Sequence, residues 1–551
     1  MNSFSIISFV GFTLLVALIA WYATRKTNEK SADGYFLGGR SLGAITIAGS
    51  LLLTNLSAEQ IVGLNGQAFT EGILVMAWET LAAIAIVLGA IFLLPKYMKG
   101  GITTIPEFIE NRFDKGTKAL LSLLFLAAYG LVLLPTVLYS GSLAFSTMFD
   151  LPSLLGISEN ATIWLSVWTI GIIGIIYAIF GGLKAVAVSD LINAIGLLVG
   201  GFLIPFFALS LIGDGSVMQG LTTLWESNPD KFELTGEVDS SIPFGTIFTG
   251  MMIAQIYYWG TNQAILQRVF AAKSLKAGQQ GMMLAALIKF LIPAIVVLPG
   301  ILAWHLFEGN LSNPDRAYPE LVKAVLPAAY LGFFAAVLFG AVLSSFNSLL
   351  NSSATLFGFD LFKQYFKKGA SEAQTVRAGK RFGLLLGLVS MSIAPFIAYA
   401  PAGLFSYIQV MLGSLSVPIL AVVLTGFFTK RVPSLGPKIV LTVGVFLYLI
   451  SQFILSPYFV NSALTEAASN GITDPKALSI IEAQAYPHFL HVMGILFVVN
   501  MAIMLIVGKL YPRETAYKPK VTEAINIEPW KYAIVAGVVI TALVLSTYFI
   551  F

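Results

Sequence analysis

Long apolar segments recur along the whole chain, and each is long enough to cross a lipid bilayer. A spanning helix needs about 20 predominantly apolar residues. About fourteen segments of this kind can be drawn: 5–23, 43–68, 72–95, 119–147, 161–180, 187–212, 244–262, 279–305, 326–360, 382–399, 403–428, 437–456, 486–508 and 533–550. Backbone groups in hydrocarbon have to be satisfied within such segments, so the expected fold is an all-α integral membrane protein. Composition agrees. Only 11% of the 551 residues are charged, against roughly 25% in soluble domains. Segment 5–23 lacks a basic preceding region and a small-residue cleavage site, so it reads as a span and not as a cleaved leader. The chain has no cysteine, which excludes disulfides, thiolate metal sites and Cys nucleophiles.

Orientation follows from the placement of Lys and Arg. With the N-terminus outside and the spans alternating, Lys231, Arg316, Lys323 and Lys476 fall outside and Lys289 falls within a span, which leaves 27 of the 32 basic residues inside. These run from Arg25, Lys26, Lys30 and Arg40, through Arg112, Lys118, Arg268 and the 363–381 group, to Lys520 and Lys531. The expected protein is thus multi-pass in the cell membrane with both termini outside. The basic loops read as topology signals and not as a nucleic-acid surface. No loop is long enough for a soluble catalytic or receptor domain. The 213–243 stretch reads as a short cap, and 457–485 as loop plus a short helix from Pro475 to Ala485.

Polar residues inside spans are costly unless they face protein or a cavity, so they mark the functional segments. The second span carries Asn55, Ser57, Glu59 and Gln60, which a helix interrupted at mid-membrane would accommodate. Trp78-Glu79-Thr80 follows in the third. The seventh carries Gln255, Tyr258 and Trp259 beside Asn262 and Gln263: aromatic faces next to amides suit a polyhydroxylated solute. Lys289 lies about ten residues into the eighth span, roughly 15 Å of helix from the nearest interface, and Glu79 is a candidate partner. The ninth holds Ser344, Ser345, Asn347 and Ser348, where hydroxyls and exposed carbonyls offer hard oxygens to a small cation; close helix packing is the alternative. His305, His488 and His491 lie away from these clusters, and no HExxH, GxSxG or Walker A pattern is present, so an enzyme is not expected.

Several strings together resemble the sodium:solute symporter family, in particular its bacterial sodium/galactose branch. They are Gly34–Leu42, Asn55-Leu56-Ser57-Ala58-Glu59-Gln60, Ile105-Pro106-Glu107-Phe108, Gly181–Val186 with Asp190, and Tyr258-Trp259-Gly260-Thr261-Asn262-Gln263 with Gln267-Arg268. The resemblance implies a LeuT-type core of two inverted five-helix repeats, each with a discontinuous first helix. The chain would be one transporter domain over 1–551, with an extra helix at 5–23, repeats at 43–212 and 244–428, and peripheral helices at 437–550. It implies sodium-coupled import of a sugar or sugar-like solute by alternating access, one sodium per substrate. Carried over by position, the substrate site is Gln60, Glu79, Gln255, Lys289, Ser348 and Gln409. Gln255 stands where the galactose branch has Asn, and Ala82 where it has Ser, which puts galactose itself in doubt. The gate is Asn55, Tyr258 and Trp259. Sodium falls to the carbonyls of Leu53, Leu56 and Ala341 and the hydroxyls of Ser344 and Ser345, with Asp190 at the inner exit. Asn347 replaces a serine that some relatives use for a second sodium. No cofactor and no obligate protein partner are implied; the partners are the solute, sodium and the bilayer. The alternatives are a same-fold symporter for an organic acid or amino acid, and, in other classes, a channel, a sensor or a membrane enzyme.

Overall fold

The computed structural model describes residues 3–25, 32–399, 403–519, 521–522 and 525–550; Lys26, Lys30 and Lys520 of the topology count lie outside the described residues. Within them the chain is helical, and strand-like pairing is confined to the isolated bridges Leu42–Ala272 and Ser274–Asn526. Among the described residues nine helices are long and apolar enough to cross a membrane, or up to eleven if each of two bent pairs counts as one span. Ile7–Ala23 and Ala533–Phe549 are apolar but shorter. The expected fourteen is therefore not reached by length and hydropathy.

The departures from straight helices have identifiable causes. Ala44–Asn55 and Ala58–Glu71 are bent by 57° at Leu56-Ser57. Leu275–Lys289 and Pro293–Leu306 are bent by 50°. Pro293 lacks an amide hydrogen, and its ring clashes with the carbonyl four residues back, which belongs to Lys289. The helix therefore ends at Lys289, a fully buried lysine. The merged helix Glu159–Ile212 is interrupted at Gly182, whose φ of 56° favours glycine. Pro95 and Pro135 each follow a π-helical turn, Gly89–Leu93 and Tyr129–Leu133, that absorbs the missing hydrogen bond.

Two expectations need correction. The seventh span does not end at 262. Gly250–Thr261 is followed, across an extended Asn262, by a second helix, Gln263–Phe270. Its Gln263, Gln267 and Arg268 make it read as loop, yet all three are fully buried. Residues 457–469 are helix and not loop: Pro457 follows a π-helical turn, Ser451–Leu455, that absorbs its missing hydrogen bond, so the helix from Leu435 runs on to Ser469.

The 213–243 stretch does cover one end of the molecule. It forms Val217–Ser227 and a 3-10 turn, Pro229–Phe232. Lys231 Nζ donates to the carbonyls of Phe69 (3.1 Å) and Thr70 (2.5 Å), which places a cation at the C-terminal end of Ala58–Glu71. On the opposite end, helix Ile105–Arg112 packs beside Lys115–Ala128. Arg112 is fully buried and donates to the carbonyls of Gly426, Thr429 and Val432, so this topology-sorted arginine also ties its helix to the end of Leu404–Phe428 and the turn after it.

Candidate functional site

The break at Leu56-Ser57 creates the site. Leu56 has φ −81° and ψ 61°, and Ser57 is extended. The Ser57 amide turns back to Asn55 O at 2.9 Å, and the Leu56 amide goes to Leu52 O at 2.7 Å. Among the described residues no backbone donor across the break is recorded at the carbonyls of Leu53 or Leu56. Helix Ala328–Thr355 lies opposite. Ser345 Oγ donates to Thr54 O at 3.0 Å, and Ala341, one turn earlier, is fully buried. Ser344 Oγ lies beside the Asp190 carboxylate. Yet neither Ser344 Oγ nor Asp190 Oδ1 has a hydrogen-bond partner of good geometry, although both are buried. Asp190 Oδ2 accepts from Ser50 at 2.6 Å. Unpaired buried oxygens are expensive. Carbonyl, hydroxyl and carboxylate oxygens without imidazole or thiolate suit a hard cation such as sodium.

Next to these oxygens is a cavity of about 80 Å³, lined by Asn55, Glu59, Gln60, Trp78, Gln255, Tyr257, Tyr258, Asn262, Phe405 and Gln409 among others, and by Thr54 and Ser345 on the side of the break. Gln255 is aimed by its Nε2, which donates to Trp78 O at 2.7 Å. Gln60 Nε2 donates to Glu79 Oε1 at 3.3 Å. Glu59 lies in the first turn of Ala58–Glu71 and accepts from Ser57. Phe405 meets Trp78 edge-on at 5.2 Å and also lines a second cavity of about 510 Å³ towards Asp315 and Ser241. Gly63 permits this: a Cβ there would stand 2.9 Å from Phe405 Cβ. Phe405 and Trp78 thus separate the inner cavity from the outer one.

Four of the residues expected for the substrate site and gate do not line the cavity. Glu79 and Lys289 form a fully buried ion pair, and Lys289 also donates to Asn55. The Lys289 ammonium stands 5.5 Å from the centre of the Trp259 ring, which in turn meets Tyr258 edge-on at 5.3 Å. Glu79, Lys289 and Trp259 thus form a layer behind Asn55, Gln60 and Tyr258. Ser348 is held by Arg268 and lies 3.4 Å from Thr54.

Sequence reasoning missed two residues. Phe405 carried no signal, since a phenylalanine at a helix start in an apolar chain is unremarkable. Arg268 was sorted with the inner-loop cations, but it is fully buried. Its Nε donates to Ser50 at 3.1 Å, and its two other nitrogens donate to Ala264 O and Ser348. The signal available was its place six residues after the break at Asn262, beside Gln267 in the string that carries the family resemblance. The histidines are accounted for outside the site: His305 contacts Asn228 at 2.9 Å, His491 contacts Thr249 at 3.1 Å, and His488 caps helix Phe489–Leu510 by accepting from the Leu490 amide at 3.4 Å.

Residues 35–444 match the sodium:solute symporter family. The chain is 42% identical over 548 residues to the uncharacterized symporter YidK of Escherichia coli K12, covering all of this chain and 91% of the relative. It is 33% identical over 465 residues to a sodium/glucose cotransporter of Vibrio parahaemolyticus, covering 79% of this chain and 83% of that one. Among solved structures, a Na+-coupled sialic acid symporter in a substrate-bound outward-open state superposes with a TM-score of 0.70 at 20% identity, over 91% of this chain and 98% of that one. That likeness fixes the fold as LeuT-type. The work of such a protein is sodium-coupled movement of a small solute across a membrane, not catalysis of a reaction. The chain belongs to the sodium:solute symporter family.

Proposed function

We propose that this symporter imports a neutral sugar or sugar-like polyol, one solute with one sodium. The observation that carries the reading is the chemistry of the cavity wall. Amides from Asn55, Gln60, Gln255, Asn262 and Gln409 alternate with the faces of Trp78, Tyr257, Tyr258 and Phe405. Paired donors and acceptors beside flat apolar surfaces suit hydroxyls on a ring. Among the described lining residues no Lys, Arg or His faces the cavity, and Lys289 is already neutralised by Glu79. An organic acid would meet Glu59 with no cation to receive its charge, which favours a neutral solute. The Vibrio relative, by its name, moves glucose.

Gln60, Gln255 and Gln409 bond solute hydroxyls, Tyr258 closes the cavity on one side with Asn55, and Phe405 with Trp78 closes it on the other. Glu79 and Lys289 act from behind, holding Gln60 and Asn55 in orientation. Ser348 joins them through Arg268. A single water needs about 10–15 Å³ of such space, so 80 Å³ is tight for a twelve-heavy-atom sugar, and one of the two closures has to relax for loading. Sodium bridges Leu53, Leu56 and Ala341 carbonyls to Ser344 and Ser345, tying the broken helix to Ala328–Thr355, with Asp190 on its release route. The two bound species reinforce one another because both favour the same arrangement of the break. A 100 mV potential contributes about 2.3 kcal/mol per charge. A tenfold sodium gradient adds about 1.4 kcal/mol. In this reading the repeats are 43–212 and 244–428, and both termini face outside.

Purified transporter melted with sodium plus individual hexoses, inositol, sialic acid and amino acids tests the solute class. A neutral polyol is expected to raise Tm only when sodium is present. Stabilisation by an acid alone would sink the neutral-solute reading.

A further inference from the structure

The residues between 360 and 381 carry Lys363, Lys367, Lys368, Arg377, Lys380 and Arg381 against only Asp360 and Glu372. A topology signal explains that excess, but not its arrangement. Gln374, Arg377, Ala378, Arg381, Phe382 and Leu385 recur at three- and four-residue intervals, so they share one face of helix Glu372–Ile393. That face closes a surface pocket of about 480 Å³ against Phe357, Phe362, Phe366 and Lys367. The floor is aromatic: Phe357 and Phe382 stack at 4.2 Å with their planes 2° apart. Among the described residues, the side chains of Lys367, Arg377 and Arg381 make no hydrogen bond or ion pair, and all three are exposed. Lys380, on another face, lies over the Tyr35 ring and is committed elsewhere.

The polarity of the face changes along its length. Arginines occupy the first turns, and exposed apolar residues follow, with Leu385 59%, Leu388 39% and Val389 40% accessible, beside Phe366 at 71%. The pocket therefore straddles the line where polar surface gives way to lipid-facing surface. A ligand that fits it carries a phosphate at one end and hydrocarbon at the other. Basic pockets between spanning helices suit anionic headgroups, and guanidinium forks match phosphate oxygens. The position is fixed to the face that holds the other basic loops: Tyr365 OH donates to Lys115 O at 3.1 Å, and buried Asp360 pairs with Lys118 at 3.1 Å. We propose that this pocket binds an anionic phospholipid, with Arg377, Arg381 and Lys367 on the headgroup phosphate and an acyl chain along Phe366 and Leu385.

The test uses delipidated full-length protein in neutral detergent, titrated with phosphatidylglycerol and followed by native mass spectrometry and thermal melting. The expected result is retained phosphatidylglycerol adducts and a raised Tm. Each lost basic contact is worth about 1 kcal/mol, so Arg377→Gln with Arg381→Gln should weaken binding roughly 30-fold. Lys276→Gln, an exposed basic position in the first turn of helix Leu275–Lys289, should bind like the unmodified protein. If the double variant does not fold, Lys367→Gln alone should weaken binding about fivefold. Undiminished binding in these variants overturns the proposal. Equal binding of phosphatidylcholine overturns it too, as does an equal Tm rise with millimolar inorganic phosphate alone, which would make the site one for free phosphate. A protein co-purifying on this face and displacing the lipid would likewise overturn it.

Discussion

Ser345 Oγ donates to Thr54 O across 3.0 Å, and this bond links helix Ala328–Thr355 to the helix that breaks two residues later. The neighbouring hydroxyl, on Ser344, is buried with no partner of good geometry. The two serines therefore separate two effects. Ser345→Ala removes an interhelical hydrogen bond worth about 1 kcal/mol as well as a sodium oxygen. Ser344→Ala removes only the oxygen. In the absence of sodium, Ser344→Ala should melt like the unmodified protein and Ser345→Ala slightly lower. Both should lose the Tm rise produced by sodium.

Glu79 and Lys289 form a buried ion pair, and removing either partner strands the other charge. Such single changes are worth about 3–5 kcal/mol, whereas neutralising both is often far milder. Glu79→Gln and Lys289→Gln should each lower Tm sharply, and the double variant should be less destabilised than the two combined. Strict additivity in thermal melts would show that the pair is not coupled.

Asp315 lies in the short turn Pro314–Arg316, outside the spans, and its carboxylate accepts from the Leu404 amide at 3.1 Å. Burial raises its pKa from 3.8 to about 6, partly offset by the Leu404 bond. Arg316 beside it is engaged with Glu159. Because the folded pKa is the higher one, the folded state holds the proton more tightly, and stability falls as pH rises from about 4 to 6. Asp315→Asn keeps an acceptor for Leu404 without the charge. It should raise Tm at pH 7.5 and lose that advantage towards pH 4. A gain that does not vary with pH would contradict the burial argument.

Arg268 fills the space between Ser50, Ser348 and Ala264 O. A lysine there lacks the fork that reaches all three. Since the chain has no cysteine, Ser348→Cys introduces a single thiol. Thiol labelling should be slow in that background and at least tenfold faster once Arg268→Ala is added. Unchanged labelling would mean that Arg268 does not seal this region.

Much of this was legible in the sequence because lipid makes polar residues conspicuous. Glu79 and Lys289 stood out as charges in apolar runs, and they meet. Gln60 and Gln255 stood out as amides, Gln409 came only from the family resemblance, and all three line one cavity. The failures share a cause. Gln263–Phe270 is polar because it is buried against protein and not against lipid, and hydropathy cannot tell such a helix from a loop. Arg268 and Arg112 were counted as surface cations for the same reason. Phe405 depends on tertiary packing, to which local pattern is blind, whereas the bend at Pro293 follows from a proline within the eighth span and was open to local reading.

The coupling claim meets its most direct test in proteoliposomes supplied from outside with the polyol that best stabilises the protein. Uptake should require an inward sodium gradient and rise with an inside-negative potential. It should fall at least tenfold in Ser345→Ala while that variant still inserts and melts cooperatively. Sodium-independent accumulation of the solute, or full sodium-driven uptake by Ser345→Ala, would contradict a sodium bridge between the broken helix and Ala328–Thr355.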